Sequence, residues 1–364
     1  MSIGATRVEG AAVPGYVYGQ APRNVYWEMT RACDLACRHC RADAQPERDP
    51  GELTTAEGKA LMADVKAMGS MLILTGGDPM KRTDLFELIT HGRDLHLPIA
   101  VTPSTTPTLT REAVERFATL GISAMGVSLD GPTPAVHDRF RNVDGTFDNS
   151  MRALGWAREL SVPVQINTTV TQQTLPHLRE LYTLLRAEAA PPVRRWSLFV
   201  LIPVGRGLEL GAPTAAQIEQ LFAWVYETAR DAPFHMGTVE APHYRRYWVQ
   251  RKLAEGATMA EIERLAPRMG FGIRDGNGVV FVSHRGDVYP AGFLPHPHLG
   301  NVRNTPLSRL YRESPELKVL RDADAFHGPC GSCDHRFACG GSRARAHAMT
   351  GDHLGSDPLC SLVA

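Results

Sequence analysis

Between residues 25 and 231 short apolar runs alternate with stretches whose apolar positions recur at helical spacing. The runs VYWEM (25–29), MLILT (71–75), PIAVT (98–102), SAMGVSL (123–129), PVQINTTV (163–170) and RWSLFVL (195–201) predict six strands. The segments TAEGKALMADVKAM, TDLFELITHGRDL, TREAVERFATL and LPHLRELYTLLRAEA predict helices, and Thr54, Thr83, Thr110 and Thr174 stand where N-caps belong. Alternating strand and helix favours parallel strands joined by right-handed crossovers, in an open sheet or a barrel. Six units are fewer than the eight of a closed barrel, so the expected fold is α/β, a partial (β/α)6 barrel open on one side. Chemistry in such sheets gathers at the carboxyl ends of the strands.

Past residue 205 the pattern changes. A helical stretch, TAAQIEQLFAWVYETAR, leads to the basic and aromatic run PHYRRYWVQRK (242–252) and another helical segment near 258–266. GVVFVSH, a turn at Arg285-Gly286-Asp287 and VYPAG predict a hairpin. The chain then divides into an N-terminal extension (1–21), a core unit (22–235), a helical and basic bridging segment (236–276) and a C-terminal unit (277–364).

Lys+Arg and Asp+Glu number 39 each and cancel, which argues against a nucleic-acid or anionic-membrane partner held by bulk charge. No apolar run approaches the roughly 18–20 residues of a membrane span, and MSIGATRVEG lacks the basic-then-apolar form of a secretory signal. The expectation is a cytoplasmic protein that binds neither membrane nor nucleic acid. The seven cysteines form two groups, one at each end of the chain, which reads as thiolate ligands for metal and not as a disulfide scaffold.

The first group, Cys33-x3-Cys37-x2-Cys40, opens directly after the first strand. Three thiolates on one short loop can hold three irons of a cubane cluster and leave the fourth iron open, as a catalytic site requires. Zinc, completed by His39 or a distant residue, is the alternative reading of that spacing. The second group, Cys330-x2-Cys333-x5-Cys339-x20-Cys360, is a closed set of four, and spacing alone divides it evenly between one cluster and one zinc.

With Thr75-Gly76-Gly77-Asp78-Pro79 after strand two and Ser128-Leu129-Asp130-Gly131 after strand four, followed by His137 and Arg141, the first cysteine loop resembles the radical S-adenosylmethionine (SAM) superfamily over about residues 25–205. Asp78 stands where relatives carry Glu, and Ser104-Thr105-Thr106-Pro107 where they often carry Gln-Thr-Asn-Gly. The resemblance implies a [4Fe-4S] cluster on Cys33, Cys37 and Cys40 that binds SAM through its open iron. It also implies an edge of Gly76, Gly77, Asp78 and Pro79 at the SAM amino group, where glycine lets backbone come close. Arg141 would take the SAM carboxylate, Ser104, Ser128 and Thr169 would face the ribose or substrate, and His39 would offer backbone near the adenine. For Ser104 and Thr169 a strand-end cap is an equal reading. No catalytic residue beyond the cluster is identified.

The second cysteine group resembles the C-terminal SPASM domain of radical SAM maturases, which implies an auxiliary [4Fe-4S] cluster on Cys330, Cys333, Cys339 and Cys360. Ala291 and Arg343 stand where two-cluster members carry cysteine, so one auxiliary cluster is expected, all four of its positions filled by protein and its role electron transfer or support. The tail CGGSRARAHAMTGD…SDPLC resembles SPASM proteins of heme and heme d1 biosynthesis. The implied activity is reductive cleavage of SAM to a 5′-deoxyadenosyl radical and oxidative modification of a bulky substrate, ranked first as a tetrapyrrole side chain. Arg245, Arg246, Tyr247, Trp248, Arg251 and Lys252 would suit propionates, or else form a solvated helix face. His296 and His298 are candidates to contact substrate or its iron. A maturase of a ribosomal peptide (crosslinking, epimerisation or decarboxylation) is the first alternative. A non-catalytic iron–sulfur electron carrier is the second, and the Gly76–Pro79 loop argues against it. A one-electron reductant of flavodoxin or ferredoxin type is the implied partner.

Overall fold

Burial alternates along Met71–Thr75 and Val164–Val170, so that one side chain packs under a helix and the next faces the concave side of the sheet. The computed structural model describes the backbone of residues 2–8, 11–189 and 192–363, with side chains from 15 to 187 and from 192 to 363. A hairpin of β1 (Ser2–Val8) and β2 (Ala11–Val17) comes first. The six expected strands follow as β3 (Asn24–Glu28), β4 (Met71–Thr75), β5 (Ile99–Val101), β6 (Ala124–Ser128), β7 (Val164–Val170) and β8 (Val193–Val200), each parallel to the next. Between them run α1 (Thr55–Ala67), α2 (Leu85–Asp94), α3 (Arg111–Leu120), α4 (Pro134–Arg141), α5 (Thr146–Glu159) and α6 (Leu178–Leu184).

The expected N-caps divide. Thr54 closes a capping box with Glu57 and Thr110 accepts from Ala113 N (3.3 Å). At α2 the cap position falls to Asp84, whose carboxylate is spent on Arg82 and Thr55, so Thr83 caps nothing. The Thr174 hydroxyl turns back to Thr169 O (2.5 Å).

After α7 (Ala215–Thr228) the short β9 (His235–Val239), which the sequence pattern did not predict, adds in parallel to β8. The basic aromatic run is a helix, α8 (Tyr244–Ala254), and α9 (Met259–Met269) follows it. The predicted hairpin forms from β10 (Val279–Val282) and β11 (Asp287–Tyr289), with β12 (Gly300–Asn301) beyond. Its first strand lies parallel to β3, so one ten-stranded sheet runs β12-β11-β10-β3-β4-β5-β6-β7-β8-β9. Helices α10 (Leu307–Glu313), α11 (Pro315–Arg321), α12 (Gly328–Ser332) and α13 (Arg343–Thr350) complete the chain.

The principal core is the helix side of the sheet, where Trp27, Leu72, Leu74, Val101, Met125, Val127, Ile166 and Trp196 pack against Leu61, Leu88, Val114, Phe117 and Leu181. The carboxyl ends of β3 to β8 carry the loops of the first cysteine group and of the glycine motif.

Candidate active site

The first thiol set hangs from the loop that leaves β3. Cys33 and Cys37 are buried and Cys40 is half-buried. Backbone bonds set the loop: Cys33 N donates to Gln45 O (2.8 Å), Gln45 N to Arg31 O (3.1 Å) and Cys40 N to Cys37 O (3.2 Å). Leu35 N points at Cys33 Sγ and Ala44 N at Cys40 Sγ, both at 3.4 Å. Arg141 Nη1 lies 3.6 Å from Cys37 Sγ. Burial pushes the Cys33 thiol up, opposed by the Ser104 hydroxyl and the Leu35 amide. These donors favour thiolate, the ligating form, and N–H groups aimed at sulfur are what a cluster on cysteine uses.

Gly76 and Gly77 also meet a demand from within the protein. A Cβ on Gly76 would collide with Thr30 O, and one on Gly77 with the carbonyls of Ala32 and Arg31. The crowding neighbour is the cysteine loop itself. Gly77 N donates to Thr30 O (2.8 Å) and Asp78 N to Ala32 O (2.7 Å), which staples the end of β4 to that loop. Asp78 is wholly buried and ties in the next loop as well. Its Oδ1 accepts from Met80 N and Ser104 N, its Oδ2 from the hydroxyls of Thr106 and Thr108. Burial pushes this carboxyl up and the four donors pull against it. Pro79, also buried, opens the short turn that follows.

Arg141 is gripped by Asp130, with Nε at 2.7 Å and Nη2 at 2.5 Å from Oδ2. Asp130 accepts Thr169 N on its other oxygen (2.6 Å), and its own N donates to His137 Nδ1 (3.0 Å). Burial alone would raise the Asp130 carboxyl, but the Arg141 guanidinium overrides it and the net shift is downward. The motif residues of β6 and α4 thus aim one guanidinium at the cysteine loop. The Asp130 role was missed, although the residue stood in the quoted motif.

The Ser104 hydroxyl donates to Gly77 O (2.9 Å) and lies 3.4 Å from Cys33 Sγ, so it works as a loop tie beside the thiols. Ser128 and Thr169 stand on the concave side, where alternation puts them. The His39 ring stacks on Phe140 at 4.6 Å, and burial lowers its pKa to about 3. Sequence reasoning gave no sign of the brace behind the loop. Glu28 pairs with Arg41 (2.6 Å) and with His284 Nδ1 (2.9 Å), while Arg41 lies over the Phe281 ring (4.7 Å).

The four C-terminal thiols line one pocket with His243, Arg246, His335, Gly340 and Gly341. His335 N points at Cys333 Sγ and Gly341 N at Cys339 Sγ, both 3.4 Å. Arg343, fully buried, brings Nη2 to 3.8 Å from Cys330 Sγ while Nη1 donates to His353 O (3.3 Å) and Gly355 O (2.5 Å). A Cβ on Gly341 would collide with that Nη2, and its left-handed φ of 64° suits glycine. Four thiols lining one pocket, with backbone donors and a cation at the sulfurs, form a donor set whose chemistry fits an iron–sulfur cluster.

The basic run does not serve as expected. Arg246 pairs with Glu219, Arg251 with Glu227 (3.1 Å), and Arg245 donates to Ile273 O (2.5 Å). Glu219 of α7 and the Ile273 carbonyl beyond α9 tie Arg246 and Arg245 into the packing of α8, while Arg251 pairs with Glu227 at the surface, so the run is a structural helix face. Trp248 is buried, packing edge-on to Phe271 at 6.1 Å, and Lys252 pairs with Glu255 (3.4 Å). His298 bonds Asp287 (3.2 Å), and His296 stacks on His347 at 5.6 Å.

The model of the radical SAM superfamily matches residues 27–185. The AdoMet-dependent heme synthase of Nitratidesulfovibrio vulgaris is 39% identical over 340 residues, 93% of this chain and 91% of that protein. The mycofactocin maturase MftC of Mycobacterium tuberculosis is 31% identical over 93% of this chain and 83% of its own length. Among solved structures, Streptococcus suis SuiB bound to S-adenosylmethionine superposes with a TM-score of 0.73 at 18% identity, covering 94% of this chain and 78% of that one. The chain belongs to the radical SAM superfamily. It is a radical SAM enzyme of the SPASM-containing type, whose cofactors are SAM and [4Fe-4S] clusters, auxiliary cluster included. No helix among the described residues is long and apolar enough to cross a membrane.

Proposed function

We propose that this enzyme cleaves SAM reductively and oxidatively modifies the propionate side chains of a tetrapyrrole. The match at 39% identity to a protein named AdoMet-dependent heme synthase carries this reading, since it covers 93% of this chain and 91% of that protein. The mycofactocin maturase matches less well, at 31%, and keeps a peptide substrate as the second reading. In this assignment Cys33, Cys37 and Cys40 hold the SAM-binding cluster, and Cys330, Cys333, Cys339 and Cys360 hold the auxiliary one. When bound, the first cluster and SAM supply a one-electron cleavage to methionine and a 5′-deoxyadenosyl radical.

The chain's own residues position and shield. Arg141, locked by Asp130, is oriented for the SAM carboxylate, and Ser128 and Thr169 face the ribose or substrate from the concave wall. The Gly76–Pro79 edge fixes the cysteine loop and presents backbone to the SAM amino group. A flavodoxin or ferredoxin type protein supplies the electron. Anaerobically reconstituted enzyme, given SAM, reductant and an iron porphyrin bearing propionates, is expected to form 5′-deoxyadenosine together with a porphyrin of lower mass. Formation of 5′-deoxyadenosine with the porphyrin unchanged, and a precursor peptide modified instead, would select the second reading.

A further inference from the structure

The concave wall of the sheet is built mainly of small or neutral side chains. Its inward positions include Tyr26 on β3, Ile73 on β4, Ala100 on β5, Gly126 and Ser128 on β6, and Gln165, Asn167 and Thr169 on β7. On β8 the same face carries Arg195, Ser197 and Phe199, in register with Gln165, Asn167 and Thr169. Two of the inward side chains on β3 to β8 carry a permanent charge, and their situations differ. Glu28 is held by Arg41 and His284. Arg195, half-buried, spends Nε on Ser197 Oγ (2.9 Å) and meets no carboxylate among the described residues. On β9 its registered partner is His235, and Gly237, the partner of Ser197, lies so close that a Cβ there would come within 2.9 Å of Arg195 Nη2. Arg23, at the foot of β3, adds a second positive charge on that side.

A half-buried guanidinium that meets no carboxylate is matched by a planar carboxylate, which its fork can hold through two hydrogen bonds. We propose that Arg195 anchors a substrate carboxylate deep in the barrel lumen, holding a propionate that is not the one undergoing reaction. This rests on the tetrapyrrole reading given above. The distance supports it. Thr169, bonded to the Asp130 that grips Arg141, lies four positions up β7 from Gln165, the partner of Arg195. At about 3.3 Å per residue that is ~13 Å of strand between the anchor and the cysteine end. A ligand that touches both levels must be wide, with acidic groups far apart. The small inward residues of β5 and β6 leave a flat wall for a planar ring.

The test compares coproporphyrin III with its fully methylated ester, titrated into the iron-loaded enzyme and followed by porphyrin absorbance. The wild-type protein is expected to prefer the free acid. Arg195→Gln should weaken binding of the acid by roughly ten- to a hundredfold, the range of a charged hydrogen bond, and leave the ester unaffected. Arg195→Lys, which keeps the charge without the fork, should retain part of the preference. Iron content and thermal unfolding of each variant guard against a folding defect. Equal affinity of wild type and Arg195→Gln for the acid would overturn the anchor while sparing the tetrapyrrole reading. Failure of the free acid and the ester alike to bind wild type would overturn both.

Discussion

Arg343 Nη2 stands 3.8 Å from Cys330 Sγ. A positive charge beside a cluster thiolate stabilises the reduced, more negative state of the cluster, and hydrogen bonds to sulfur act in the same direction. Arg343→Gln is therefore expected to lower the reduction potential of the auxiliary cluster and leave that of the first cluster unmoved. A redox titration monitored by electron paramagnetic resonance checks this. An unchanged auxiliary potential would show that the guanidinium serves only to pack, over the Phe326 ring (4.5 Å) and against the His353 and Gly355 carbonyls.

The two thiol sets should separate in iron analysis. Two complete cubanes correspond to about eight irons per chain. Cys330→Ala should remove the auxiliary share and keep SAM cleavage detectable, whereas Cys37→Ala should abolish cleavage. Full cleavage by Cys37→Ala would refute the assignment of the first set. Zinc found in place of half the iron would show that the C-terminal set is structural.

Gly77→Ala tests the staple between β4 and the cysteine loop. The added methyl would run into the backbone carbonyls of Ala32 and Arg31, so the loop must shift. The variant should lose iron from the first set and keep the auxiliary cluster. Wild-type iron content in it would show that the loop tolerates the displacement.

Asp130→Ala leaves Arg141 buried with its charge uncompensated, a loss of ~3–5 kcal/mol in a buried pair. Because Arg141 holds the Asp130 carboxyl low against burial, this contribution is present above the ordinary carboxylate range. It fades as the pH falls through the lowered value. Chemical denaturation at neutral and acid pH should show the two proteins far apart at neutral pH and converging in acid.

Glu240 gives the opposite slope. It sits after β9, where Ser342 Oγ donates to it (2.7 Å), and burial together with nearby Asp275 pushes its carboxyl up to about 8. The unfolded carboxyl loses its proton near the usual ~4.3 while the folded one keeps it. Stability should then decline as the pH climbs from about 5 toward 8, and Glu240→Gln should flatten that decline. Urea midpoints across this range decide the matter.

What the sequence made legible follows from locality. Strands β3 to β8 announce themselves through short β-branched runs, and α1, α3 and α7 through periodicity and caps. The β9 segment, HMGTV, has a glycine at its centre and a single β-branched pair at its end, too weak a signal for a strand. Helices α4 and α5 follow a loop rich in Gly, Pro, Asp and Asn, which masks their onset. The cysteine ligands were readable because their spacing is itself the site. The arginine run was misread because composition reports Arg246 and not the Glu219 that faces it from α7. Arg195 went unnoticed because one arginine inside a strand carries no motif, and only the curvature of the sheet makes it an inward cation.

The parallel pairing of β10 with β3 joins segments some 250 residues apart, and the brace behind the cysteine loop shares this span. Leu53 N donates to His284 O (2.8 Å), Glu28 binds His284, and Arg285 pairs with Asp49 (2.6 Å). During synthesis the loop of Cys33, Cys37 and Cys40 leaves the ribosome long before the hairpin that steadies it. Contacts so distant in sequence form late. Iron loading of the first thiol set is thereby coupled to completion of the chain, and a chain stopped before residue 284 is expected to emerge with its cysteine loop unbraced and its iron site unfilled.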